Sequence, residues 1–153
     1  MDAQKKLALM QNTYAANVAE TANTYARLNL LDSIVAKKAE RQALTAAPMM
    51  AMLGIAAPEE VFLSLSDIFG CANWQVEETD SGFCATATAC KLCALSKKMG
   101  GANPCRGWCL DPMAAMINEL TKGSAVFTVK STLMEDAQCQ VAVTLQKQET
   151  ASA

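Results

Sequence analysis

Seven cysteines stand in this chain, Cys71, Cys84, Cys90, Cys93, Cys105, Cys109 and Cys139, and there is no histidine. The missing imidazole excludes a Ser-His-Asp triad, a Cys-His dyad, a His-ligated zinc hydrolase and a His-ligated haem. Four of the thiols form two short pairs: Cys90-Lys91-Leu92-Cys93 is C-x2-C and Cys105-Arg106-Gly107-Trp108-Cys109 is C-x3-C. Each spacing lets two thiolates converge on one ion. The eleven residues between the pairs include Gly100, Gly101 and Pro104, a connector flexible enough to let them meet. Four sulfurs at ~2.3 Å compose a closed structural zinc site, and the same donor set suits an iron–sulfur cluster. Cys90, Cys93, Cys105 and Cys109 are therefore the candidate metal ligands, with zinc and iron–sulfur both open. Without a metal, the two pairs could instead close reversible disulfides, the chemistry of a thiol redox sensor.

Position along the chain predicts thiolates. Cys93 falls near a helix start and Cys109 just upstream of another, and Lys91, Lys97, Lys98 and Arg106 add cations nearby. Cys84 shares a predicted strand with Cys90, but six residues at ~3.3 Å separate them by roughly 20 Å, too far for one ion. Cys139 reads as a small buried hydrophobe in a strand and Cys71, after a helix-ending glycine, as a packing residue. Trp108 reads as packing over the cluster, and the nine methionines as core filler. No catalytic residue is identified. Were the protein a hydrolase, proton transfer would fall to Asp80, Asp111, Glu119, Glu135 or Asp136, to a lysine, or to metal-bound water.

The elements that must position these residues differ between the two halves. From Ala3 to about Arg41 there is no Gly or Pro, and Leu7, Met10, Tyr14, Val18, Ala22, Tyr25, Leu28, Leu31 and Val35 recur at helical steps of three and four. One helix of that length would run roughly 57 Å, more than a small domain covers. Either it breaks near Asn29 to Ser33, or its overhang packs on a second copy of the chain. Pro48 is expected to close the region, with Met49, Met50, Met52 and Leu53 in an apolar turn before Gly54. Pro58, Glu59 and Glu60 then open an amphipathic helix stopped by Gly70.

Beyond it the period changes. Trp74 and Val76 alternate with polar residues, Asp80-Ser81-Gly82 is turn chemistry, and 83–90 reads as a strand with Phe83, Ala85, Ala87 and Ala89 on one face. Lys91 to Lys98 is a short helix ended by Gly100. Asp111 is expected to cap a helix with Pro112 at its first position and Met113, Met116, Ile117 and Leu120 along one stripe. Two further strands carry Ala125, Phe127 and Val129, then Cys139, Val141, Val143 and Leu145, inward. The predicted fold is α+β: N-terminal helices, one of them long, and an antiparallel four-stranded sheet built as β-hairpin, two short helices, β-hairpin. The predicted organisation is a helical, dimerising arm over 1–57, a cysteine-rich domain over 58–147 and a frayed tail over 148–153.

At 153 residues the chain is about one domain, with 13 basic against 15 acidic residues and 52% hydrophobic residues. This balance excludes an electrostatic nucleic-acid binder and a disordered chain. No apolar run reaches the ~18 residues of a membrane span, and the N-terminus has no apolar leader, so the expected location is cytoplasmic. The expected partners are a small molecule and a second copy of the chain, with no nucleic acid and no membrane.

The stretch from about Cys84 to Thr144 resembles the L-2-amino-thiazoline-4-carboxylic acid hydrolase-like family and, more distantly, the vinyl-reductase-type domain that binds small apolar molecules. The likeness rests on Cys90-Lys91-Leu92-Cys93, on Asn103-Pro104-Cys105 with Cys109 and Asp111, and on Phe127-Thr128-Val129-Lys130-Ser131-Thr132-Leu133 leading through Glu135-Asp136 to Cys139. It implies an α+β domain whose cysteines could hold a metal, and an activity opening a thiazoline ring. Cys90, Cys93, Cys105, Cys109, Asp111 and Cys139 are the positions it carries over.

Overall fold

Asp2 starts the first helix by accepting a hydrogen bond from the Lys5 amide at 2.9 Å. In the computed structural model, which describes residues 1–146, this helix α1 runs Ala3–Arg27 and a second, α2, runs Leu31–Leu53. The break between them falls at Leu28–Leu30, where Asn29 sits at φ +60°, a conformation asparagine tolerates better than most residues. Of the two sequence-based alternatives, the break is the one adopted. The tail expected over 148–153 lies outside the described residues.

Pro48 does not end α2 as expected. It lies inside the helix, which continues through Met49, Met50, Met52 and Leu53 to a left-handed cap at Gly54, φ +68°. A proline there forfeits one backbone hydrogen bond and crowds the preceding turn. Ala46 and Met50, on either side of it, are buried against the core, and α2 packs along α5 (Asp111–Leu120). That packing holds the helix through the defect.

Helix α3 (Pro58–Phe69) has proline in its first turn and Gly70 at φ +62° as its stop, as predicted. The Glu60 carboxylate accepts from the Ala56 and Ala57 amides at 2.7 and 3.1 Å, which holds its pKa below the usual value. Strands β1 (Gln75–Thr79), β2 (Gly82–Ala87), β3 (Ala125–Ser131) and β4 (Cys139–Leu145) form an antiparallel sheet in the order β1-β2-β4-β3. Between the hairpins come α4 (Lys91–Met99), a π-helical turn (Arg106–Leu110) and α5. The fold is α+β.

One face of the sheet supplies the core: Phe83, Ala85 and Ala87 from β2 beside Val143, Val141 and Cys139 from β4. Phe62 of α3 seals it, edge-on to Trp74 and Phe83 at 5.1 and 5.9 Å and stacked on Phe127 at 6.2 Å. Val129, expected inward, is exposed, because β3 is an edge strand and its register slips between Val129 and Ser131. Asp111 is not a cap either. The π-helical turn runs directly into α5, so Asp111 is that helix's first residue and pairs with Arg106 at 3.3 Å.

Helix α1 lies along α4, its small residues Ala15, Ala19 and Ala22 buried. The contact is locked by buried Asn23, whose Nδ2 donates to Ala19 O (2.7 Å) and Ser96 Oγ (3.0 Å) while its Oδ1 accepts from the Ala102 amide (3.0 Å). Among the described residues, no single helix is long and apolar enough to cross a membrane.

Candidate functional site

Backbone geometry sets each thiol. Cys71 follows the left-handed Gly70, and its carbonyl accepts from the Lys91 amide at 2.7 Å while Ala72 bridges to Cys90. The strand expected over 83–90 stops at Ala87. Beyond it, Asn73 Oδ1 accepts from the Thr88 and Ala89 amides at 2.9 and 3.0 Å and turns the chain into α4. Cys90 is therefore the N-cap of α4, its sulfur accepting from the Cys93 amide at 3.4 Å. Cys105 is fixed by a bond from its amide to Asn103 Oδ1 (2.8 Å), and Cys109 rides on the π-helical turn. Gly107 lets that turn pass close to α2: a Cβ there would meet Val35 Cγ2 at 3.0 Å. Cys139 opens β4 opposite Ala87, and its sulfur accepts from the Leu133 amide at 3.1 Å.

These placements bring the two predicted pairs together. Cys90, Cys93, Cys105 and Cys109 all line one cavity of about 250 Å³, and the sulfurs of Cys93 and Cys105 are 3.6 Å apart. The same cavity also takes Cys71 and Cys139, so six of the seven thiols face it. The strand that was to hold Cys84 and Cys90 apart breaks after Ala87, yet Cys84 still stays out of the cavity, on the other face of the sheet beside Gln140. Most of the rest of the wall is apolar, with Phe69, Leu65, Met113, Met116 and Trp74 among its members, and Lys38, Gln42, Thr45 and Ser66 add polar groups.

The spacing of the cysteines missed Cys71 and Cys139 as members of the cluster, although the family resemblance had carried Cys139 over with the two pairs. Each reaches it through a non-local contact, the Ala72–Cys90 bridge and the Ala87–Cys139 register, which no local spacing announces. Tyr14 and Lys38 were missed in the same way. Tyr14 arrives from α1, its ring 4.7 Å from that of Phe69, and Lys38 arrives from α2, its ammonium 4.9 Å from the centre of the Trp108 ring.

The electrostatics reverse the expectation of thiolates. A hydrogen bond with Cys105, with burial behind it, pushes the Cys93 thiol up to about 12. Cys90 is raised further, first by its hydrogen bond with Cys93 and then by burial. Burial raises Cys109 well above its ordinary value, lifts Cys71 to about 11 and raises Cys139. Burial likewise holds the Tyr14 phenol at about 12 and lowers the Lys38 pKa. Neighbouring thiols resist ionisation further, since each anion would face others. Three of the four expected cations are held by other partners, Lys91 on Asn12 Oδ1, Lys97 on Leu133 O and Arg106 on Asp111, and the pull of Lys91 on Cys71 and of Lys97 on Cys139 is outweighed by burial.

The donor set suits a soft metal in chemistry, being all thiol. Two sulfurs each ~2.3 Å from one tetrahedral ion stand ~3.8 Å apart, close to the Cys93–Cys105 separation. Among the described residues, no three Cys, Asp or Glu side chains already stand in coordinating geometry. None of Asp80, Asp111, Glu119, Glu135 and Asp136 lines the cavity. The chain matches no family model, no curated protein and no solved structure.

Proposed function

We propose that the protein binds a soft metal centre, zinc or an iron–sulfur cluster, through Cys90, Cys93, Cys105 and Cys109, at the thiol-rich end of a cavity that takes a small molecule. The observation that carries this reading is the convergence of both cysteine pairs on one cavity, with Cys93 and Cys105 at the sulfur separation of a shared ion. A cluster of buried thiols that cannot ionise one beside another is stabilised as thiolates by a cation among them. Binding draws the remaining thiols in around the Cys93–Cys105 pair. A bound centre would supply fold stability.

Elemental analysis with an optical spectrum, after anaerobic purification, tests this. About one equivalent of zinc, or iron with sulfide and visible absorbance, is expected. Less than about a tenth of an equivalent contradicts it.

A second reading rests on the same 3.6 Å separation. Cys93 and Cys105 could close a disulfide, giving up two electrons and two protons to an oxidant such as peroxide. Thiol counting before and after peroxide distinguishes the two: a metal-free protein that loses two of its seven thiols reversibly fits the sensor. The hydrolase implied by resemblance is weaker. A fully thiolate-ligated metal has no open position for water, and no candidate carboxylate faces the cavity. Turnover of 2-amino-thiazoline-4-carboxylate by the metal-loaded protein would restore it. A homodimer through α1 is supported by the exposure of Leu7, Leu9 and Met10 near its start, and a monomer in light scattering removes that support.

A further inference from the structure

The sulfur on the cavity wall exceeds what one four-coordinate ion uses. Cys71 and Cys139 add two thiols to the four proposed ligands, and Met49, Met113 and Met116 add three thioethers. Met113 and Met116 stand one turn apart on α5, both buried. Among the described residues no carboxylate lines the cavity, and the chain has no imidazole. The wall therefore offers soft sulfur without the harder donors that zinc also takes. Thioether sulfur is not a usual zinc ligand and is a usual copper(I) ligand.

The six thiols act as one group. An anion at Cys109 would be opposed by Cys90, Cys139, Cys71 and Cys93, and one at Cys93 by Cys105 and Cys139. The sulfurs of Cys90 and Cys139 already accept amide hydrogen bonds, from Cys93 at 3.4 Å and from Leu133 at 3.1 Å, contacts that favour a thiolate. Cys93 and Cys105, 3.6 Å apart, are the pair at ligand separation. A tetrahedral ion needs two more sulfurs drawn in around them. Copper(I) is satisfied by about two or three sulfurs, so the pair can seat a first ion with little movement. About four copper(I) ions on six bridging thiolates would carry a charge near −2, the same as one zinc on four, and would leave none of the six unused.

We propose that the cavity holds a polynuclear copper(I)–thiolate centre, in which Cys71 and Cys139 join the two cysteine pairs and Met113 and Met116 are thioether neighbours. This rests on the convergence of thiols behind the proposed function and names a second ion for the same site. Copper enters already as copper(I). Each thiol gives its proton to solvent as its Cu–S bond forms, and no electron is transferred.

Anaerobic titration of the full, reduced, metal-free chain with copper(I), in competition with the chelator bicinchoninate, tests it. The protein should hold two or more equivalents, saturating at about four, and the orange emission of water-shielded copper(I)–thiolate clusters should appear beyond the first. Cys71→Ser combined with Cys139→Ser should lower the capacity by at least one equivalent and quench the emission. Cys84→Ser, on the far face of the sheet, should change neither. One equivalent or fewer in the wild type, a capacity that the double variant retains, or a loss that follows Cys84→Ser overturns the proposal. Thermal melting followed by circular dichroism separates a lost ligand from a lost fold, and if the double variant does not melt cooperatively the two single variants, each expected to lose capacity, carry the test. Zinc and iron measured on the protein as purified report on the proposed function separately. One zinc there with one copper in the titration leaves the four-ligand site standing and overturns the copper centre, and several coppers with neither zinc nor iron does the reverse.

Discussion

Adding zinc to the metal-free, fully reduced protein near neutral pH should release about three or more protons for each ion bound. Metal ligation needs thiolates, and three of the proposed ligands resist ionisation: hydrogen bonding to Cys105 and burial push Cys93 up to about 12, and Cys90 and Cys109 are raised as well. Three displaced protons make the apparent zinc affinity rise about a thousandfold per pH unit through the neutral range, since each proton contributes a factor of ~10 per unit. The assay is a zinc titration in weakly buffered solution with a pH indicator, repeated calorimetrically in buffers of different ionisation enthalpy. Substituting Cys84→Ser, on the far face of the sheet, should leave the stoichiometry unchanged, whereas Cys93→Ser should reduce it and weaken binding. Release of one proton or fewer, or a loss that follows Cys84, would refute the reasoning, because the ligands would then be either already ionised or not these cysteines.

The metal-free protein should lose stability in alkali: Cys93 and Cys71 keep their protons to about 12 and 11 when folded, against 9.0 ordinarily. Below pH 9 both states are protonated and stability is flat, whereas above it only the unfolded thiols ionise, so the melting temperature should fall as the pH rises toward 11. A melting temperature constant over that interval contradicts the shifts. Phe62→Ala, which empties the point where Trp74, Phe83 and Phe127 meet, should cost about 3–5 kcal/mol in urea denaturation, and a loss under about 1 kcal/mol would deny Phe62 its place in the core. Asn23→Ala strands the Ala102 amide and unlocks α1 from α4, with an expected loss of about 2 kcal/mol by the same measurement and none if that network is dispensable.

Local chemistry made much of the fold legible. Proline at the start of α3, glycine at its end and at the end of α4, and the alternation in β4 and in β2 as far as Ala87 each act within a few residues and appear where the pattern put them, whereas Ala89, expected on the core face, is exposed beyond the strand's end. Pro48 misled because its local penalty is outweighed by the burial of Ala46 and Met50, which depends on where α5 lies. The π-helical turn adds one residue per turn with no compositional signature, and it displaced Asp111 from its expected cap. At the site, C-x2-C and C-x3-C spacing was enough to nominate two pairs. It could not show that Cys71 and Cys139 join them, because both arrive by strand pairing from distant segments. Nor could it give the charge state, since a helix start favours a thiolate only when water or a cation is at hand, and here burial dominates.

Anomalous diffraction at the zinc and iron edges, from crystals of the anaerobically purified protein, tests the central claim most directly. The account predicts a metal peak, one zinc or the irons of a cluster, within about 2.3 Å of the sulfurs of Cys90, Cys93, Cys105 and Cys109. Cys93 and Cys105 joined to each other, or a cavity without a metal peak, would contradict it.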